Sequence, residues 1–160
     1  MNIVFLADAY AAQILGGGEL NNDELIKILI EAGNTVECYN TYSVDEFFIK
    51  KNKEKKFIIA NFIGLTELTK LAIQETEYII YEHDHKYIPS RNPADYEDYV
   101  CTDIINYDFY KNAKRIFCQS DFHKEIVDKN LHLDNTDHLT VTCGLWNLST
   151  KWKSYLKKKS

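Results

Sequence analysis

Apolar residues come in six short blocks along this chain: NIVFLA (2–7), TVECYN (35–40), KFIIANF (56–62), EYIIYE (77–82), RIFCQS (115–120) and HLTVTCG (138–144). Several are nearly continuous rather than alternating, the pattern of strands covered on both faces. The segments between them carry helical spacing instead. GELNNDELIKILIEAG sets Leu20, Leu25, Ile28 and Leu29 along one stripe and ends at Gly33, a C-cap residue. SVDEFFIKKNKE opens on Ser43 with Glu46 at capping-box spacing. TELTKLAIQE and DFHKEIVDKNLHL supply two more helices, the second with Asp121 as its expected N-cap. Strand and helix therefore alternate throughout. This predicts an α/β domain, Rossmann-like and doubly wound, with a mostly parallel six-stranded sheet and helices on both faces. One domain is expected over residues 1–148, with a basic C-terminal tail over 149–160.

One connection breaks the rhythm. HDHKYIPSRNPADYEDYVCTDI, residues 83–104, follows the fourth block and holds both prolines. Loops of that length inside a compact domain are usually functional. Composition adds little: 45% hydrophobic and 27% charged residues over 160 positions suit one domain with a proper core. A net charge of −5 argues against a general nucleic-acid binder. The charge is unevenly placed, because the final KWKSYLKKKS carries five Lys and no acid, leaving 24 acidic against 14 basic residues before it. Such a tail can touch phosphate or anionic lipid, or simply stand solvated. Cys38, Cys101, Cys118 and Cys143 form no CxxC pair, and three of them lie in strand-like runs where a reduced Cys acts as a small apolar residue. No leader pattern and no run long enough to span a bilayer is found, so a cytoplasmic location without a transmembrane segment is expected.

The candidate chemistry starts at Gly16, Gly17 and Gly18, between the first strand and the first helix. Ligands of open parallel sheets bind beyond the carboxyl ends of the strands. Small residues there let backbone N–H groups approach an anion, and the helix start adds partial positive charge. GGGELNN is neither GxGxxG nor a P-loop with its Gly-Lys-Ser/Thr. The glycines alone fit a phosphate site and a merely flexible loop about equally well.

The surrounding residues tilt this balance. IVFLADAYAAQILGGGELNNDELIKILIEAGNTVECY resembles the opening of GT-B glycosyltransferases of the family-four type. There, a first strand leads to a Gly-Gly loop with a following Glu, then a helix, then a Gly-(His/Asn)-x-Val entry to the second strand. Gly17, Gly18, Glu19 and GNTV (33–36) match that pattern, and YIIYEHDHKY and FYKNAKRIFCQSDFHKEIV continue it. The resemblance covers nearly all of the chain and implies the N-terminal half of a GT-B fold. It implies that Gly16, Gly17, Gly18 and Glu19 face the diphosphate of a nucleotide sugar. It also implies that a His at the end of the fourth strand contacts the transferred sugar or its leaving phosphate. His83 matches that His best and is the expected catalytic residue, with His85 second. No cofactor and no catalytic metal is implied.

His83 and His85 share one side of an extended YEHDHK segment, and His-x-His on a strand can also supply two metal ligands. No third ligand is evident, so no metal site is expected. An imidazole at a strand end can accept from a sugar hydroxyl or, protonated, donate to phosphate, or it can simply tie down the long loop. Arg91 suits a bidentate contact to phosphate, and Ser120 lies at the carboxyl end of the fifth strand. Tyr87, Tyr96 and Tyr99 offer stacking surface or loop packing. The leading expectation is transfer of a sugar from a nucleotide sugar to an unidentified acceptor, with the donor-binding half supplied by a partner chain or a homo-oligomer. The alternative is a non-catalytic module that binds a nucleotide or an anionic metabolite, and a protein-interaction domain is a third reading.

Overall fold

The computed structural model describes residues 1–133 and 138–141. The expected tail, together with Cys143 and Trp146, lies outside the described residues. Six strands form one sheet: β1 (Asn2–Ala7), β2 (Thr35–Asn40), β3 (Lys56–Ile59), β4 (Tyr78–Tyr81), β5 (Arg115–Cys118) and β6 (Leu139–Val141). Their spatial order is β2-β1-β3-β4-β5-β6, and every pairing is parallel. The strand order turns back at β1, which places the ends of β1 and β3 at the switch point where such sheets hold ligands. The Rossmann-like α/β architecture read from the apolar blocks is the architecture observed.

Five helices connect the strands: α1 (Gly17–Glu31), α2 (Glu46–Lys51), α3 (Glu67–Gln74), α4 (Tyr107–Lys111) and α5 (Asp121–Leu131). Alternation along β1 sorts the core into two layers. Val4 and Leu6 join a large cluster with Ile49 of α2, Ile73 of α3, Phe109 of α4 and Val127 of α5. Ile3, Phe5 and Ala7 face the other way, beside Leu25, Ile26 and Leu29 of α1. Helices therefore cover both faces, with α1 opposite the rest.

Helix boundaries differ from expectation in instructive ways. Ser43 belongs to a short 3₁₀ turn, and the N-cap of α2 is Asp45, whose carboxylate accepts from the Phe48 amide. Ser120, not Asp121, caps α5. In α1 the stripe is rotated: Ile28 is exposed, while Ile26 packs on the sheet. Gly33 has φ +90 and follows the C-cap residue Ala32, a backbone turn that favours glycine. Cys38 is exposed on the edge strand, whereas Cys101 and Cys118 are buried.

The long connection after β4 is packed rather than free. Ile105 N donates to Tyr87 O, Cys101 N donates to Asn130 Oδ1, and Tyr87 and Ile88 are fully buried. Tyr87 thus fills the core and offers no open stacking face. Tyr99 remains exposed, edge-on to Phe122.

Candidate functional site

β1 ends at Ala7, and the next residue, Asp8, ties three strand ends together. Its carboxylate accepts from the amides of Ile63 and Gly64, each at 3.0 Å, and from the Thr41 hydroxyl. These bonds fix the floor of a pocket of about 400 Å³, lined by Asp8, Ala9, Ile14, Gly18, Glu19, Asn61, His83, Asp84, Lys86 and Arg91. Tyr10 holds the loop above it, its hydroxyl lying 2.8 Å from the carbonyls of Phe5 and Tyr39.

The glycines enter at the start of α1. Gly16 is the N-cap in extended conformation and makes no side-chain cap. The first helical bond runs from Leu20 N to Gly16 O at 3.0 Å, so the amides of Gly17, Gly18 and Glu19 precede the hydrogen-bonded ladder. None of the three glycines has positive φ. Their smallness has a different use at each position. A Cβ on Gly18 would lie 3.3 Å from His83 Cγ, so the helix backbone rests against the imidazole. A Cβ on Gly17 would meet open space, and one on Gly16 would run into the movable Glu19 carboxylate.

His83 leaves β4 edge-on to Tyr81, and its Nε2 lies 2.6 Å from Asn22 Oδ1 on α1. Burial, reinforced by Lys86, pushes its pKa down to about 4, against the opposing pull of Asp84. Behind it stands a dense charge network. Glu82 and Lys86 are buried, with Lys86 Nζ 3.4 Å from Glu82 and in close contact with Asp84, above the Phe62 ring. Burial works against the Lys86 charge, but Glu82 and Asp84 outweigh it and hold the ammonium above its ordinary range. Burial also holds the Glu82 carboxyl above the usual range, with Lys86 acting against it. Arg91, at positive φ, reaches Asp84 Oδ2 at 3.4 Å from the pocket rim.

His85 points elsewhere. Its Nδ1 lies 2.5 Å from the Tyr87 hydroxyl, and its ring sits 4.5 Å from that of His123 in the first turn of α5. Burial lowers both pKa values to about 4, so the pair is neutral near pH 7. Ser120 Oγ accepts from the His123 amide at 3.1 Å and so caps α5.

Of the sequence candidates, Gly18, Glu19, His83 and Arg91 line one pocket; Gly16 and Gly17 adjoin it through α1, while His85 and Ser120 do not line it. Asp8 and Asn22 were not among the candidates, whereas Lys86 reads from the sequence as an idle loop lysine and His123 as a residue at the carboxyl end of the fifth strand. Of the first two, only Asp8 left a signal, a carboxylate directly after the first strand at a switch point. The pocket is no bare cationic cradle, since three carboxylates share it with two cations. Two of the carboxylates are already occupied, Asp8 by backbone amides and Asp84 by Lys86 and Arg91. Among the described residues no group of three or more His, Cys, Asp or Glu is placed to hold a metal ion. No described helix is long and apolar enough to cross a membrane. A larger hollow of about 610 Å³ between α3 and α4 carries no imidazole, and its Lys70 is already bonded to Glu67 and Asn106.

No protein-family model matches the chain, and no curated protein matches it significantly. The functional reading therefore rests on the pocket itself.

Proposed function

We propose that this chain is the acceptor-side half of a glycosyltransferase of GT-B type, transferring a sugar from a nucleotide sugar to an acceptor. One observation carries the proposal: the uncapped start of α1 rests on a neutral imidazole, at a strand end, in a pocket that also holds Arg91. The amides of Gly17 and Gly18 stabilise charge developing on a diphosphate leaving group. Arg91 swings from Asp84 to the same phosphates. His83, neutral near pH 7, orients a sugar hydroxyl rather than donating a proton. Glu19 is an acceptor that suits hydroxyls, and with Asp8 it disfavours a second anion deeper in the pocket. The nucleotide end of the donor is held by a second domain, from a partner chain or another copy. Exposed Ile14 and Leu15 beside the glycines give that domain an apolar footing.

The test is incubation of the chain with a panel of nucleotide sugars, alone and with candidate partner domains, while free nucleotide release is followed. Release that disappears in Gly18→Val supports the proposal. Binding lost in Gly18→Val, without release under any pairing, identifies a non-catalytic binding module. No binding and no release, with or without partners, overturns both readings.

A further inference from the structure

Asn21 and Asn22 are the buried residues of α1. Asn is a poor choice inside a helix, because its amide competes for backbone hydrogen bonds. Burying that amide also costs stability unless its groups are bonded. Asn22 is fully buried, its Nδ2 has no partner, and its Oδ1 meets His83 Nε2 at 2.6 Å. A residue kept only for packing on the sheet would be apolar. With Oδ1 facing the ring, the amide oxygen accepts and Nε2 carries the hydrogen. A neutral imidazole holds one N–H, which leaves Nδ1 with a lone pair. We propose that Asn22 is a positioning residue that fixes His83 as the Nε2–H tautomer and presents Nδ1 as a hydrogen-bond acceptor at the pocket wall. The group that meets His83 must then bring a donor, a hydroxyl and not a phosphate oxygen. That last step rests on the function proposed above; the tautomer does not.

The charged and titratable neighbours of His83 are Lys86 and His123, which oppose its protonation, and Asp84, which favours it. Asn22 faces it from α1 and adds no charge, so it sets which nitrogen bears the proton without setting whether the ring is charged.

Long-range nitrogen–proton NMR of the ¹⁵N-labelled full chain reads the tautomer directly. The expected result is a proton on Nε2 of His83 at pH 7. Asn22→Leu is expected to give mixed tautomers, while unmoved His85 and His123 signals report an intact fold. Asn22→Asp is expected to keep Nε2–H and to move the His83 titration upward, since a carboxylate favours the charged ring. A wild-type proton on Nδ1, or an unchanged tautomer in Asn22→Leu, overturns the assignment. Should Asn22→Leu fail to fold, an unmoved titration in Asn22→Asp overturns it instead. A binding arm uses UDP-glucose against UDP. Any preference for the sugar form is expected to fall roughly tenfold in Asn22→Leu, the scale of one lost hydrogen bond to a buried group. Absence of all nucleotide binding overturns the proposed function and leaves the NMR result to decide the role of Asn22.

Discussion

The two walls of the pocket are built on opposite principles. On one side, α1 begins with bare backbone: Gly16 supplies no cap, and the amides of the first turn have no helical partner. On the other, the β4 exit pairs nearly everything it carries, with Glu82, Asp84, Lys86 and Arg91 joined in one ion network. The buried part of the paired wall, Glu82 and Lys86, has its charges turned on one another, and only Arg91 at the rim is exposed enough to change partner. The bare wall keeps hydrogen-bonding capacity in reserve, and reserve is what a ligand needs. Other helix starts show that capping was available to the fold: Asp45, Thr66 and Ser120 cap α2, α3 and α5 with side-chain oxygens.

Breaking the paired wall has the largest expected effect. Lys86→Met leaves Glu82 buried without its cation, a change that typically costs about 3–5 kcal/mol. Glu82 can escape by taking a proton, so the loss measured by urea unfolding should be greatest near pH 7 and smaller in acid. Adding Glu82→Leu should recover much of it, because an apolar pair fills the site without desolvated charge. An unchanged midpoint in Lys86→Met would show that the network contributes nothing to stability.

The bare wall depends on closeness, and Gly18 tests that. A valine there drives its side chain into the His83 ring, an overpacking cost of about 2 kcal/mol. Gly17→Ala meets open space and should stabilise by about 0.5–1 kcal/mol through lower unfolded-state entropy. Thermal melts of the two variants should therefore move in opposite directions. Equal shifts would mean that the helix start does not rest on the imidazole.

Acid titration separates the walls further. His83, His85 and His123 each have folded pKa values lowered to about 4 from an ordinary value near 6.5. Between those limits the unfolded chain binds more protons, so stability rises with pH through that window and is lost as pH falls from 6.5 toward 4. The loss between pH 7 and pH 5 should be on the order of 2 kcal/mol for each imidazole, and so about 5 kcal/mol for the three before solvent screening of their partly exposed rings reduces it. Glu82, with its carboxyl pushed up, favours the folded state while protonated and so slopes the other way. In His123→Phe one of the three imidazoles is gone, and the acid slope should flatten. A slope as steep as in the parent chain would remove His123 from the account.

These contrasts also show what a sequence can display. The six strands were legible because buried parallel strands are continuous apolar runs, and the starts of α1, α2, α3 and α5 were legible to within two residues. The five-residue α4 is too short to show a periodic stripe and was not expected. The cap itself was not legible, since it depends on which residue turns extended; Asp45 and Ser120 took the places assigned to Ser43 and Asp121. Ile28 and Ile26 exchanged roles because a helix stripe read from spacing carries no information on the angle at which the helix meets the sheet. At the site, Gly18 and His83 could be named from motif context, but not their contact. Asn22 and His83 lie 61 residues apart in the chain, and only the packing of the first turns of α1 against the segment leaving β4 brings them together. Lys86 looked like another surface lysine until burial placed it inside the network.

The smallest expected effect is the sharpest test of the difference between the walls. Gly16→Ser gives α1 the cap that Ser120 gives α5. The backbone there is already extended, as an N-cap requires, and the only atoms in the way belong to the movable Glu19 side chain. A serine hydroxyl accepting from the first-turn amides should stabilise the chain by about a few tenths of a kcal/mol, seen as a higher denaturant midpoint at unchanged slope. The same hydroxyl occupies an amide that the ligand would use, so nucleotide-sugar binding should weaken as stability rises. Ser120→Ala is the mirror: a loss of about 1 kcal/mol with no expected effect on binding, because Ser120 does not line the pocket. A Gly16→Ser chain that is both more stable and as good a binder would mean that the bare start of α1 is an unfilled cap and not a site.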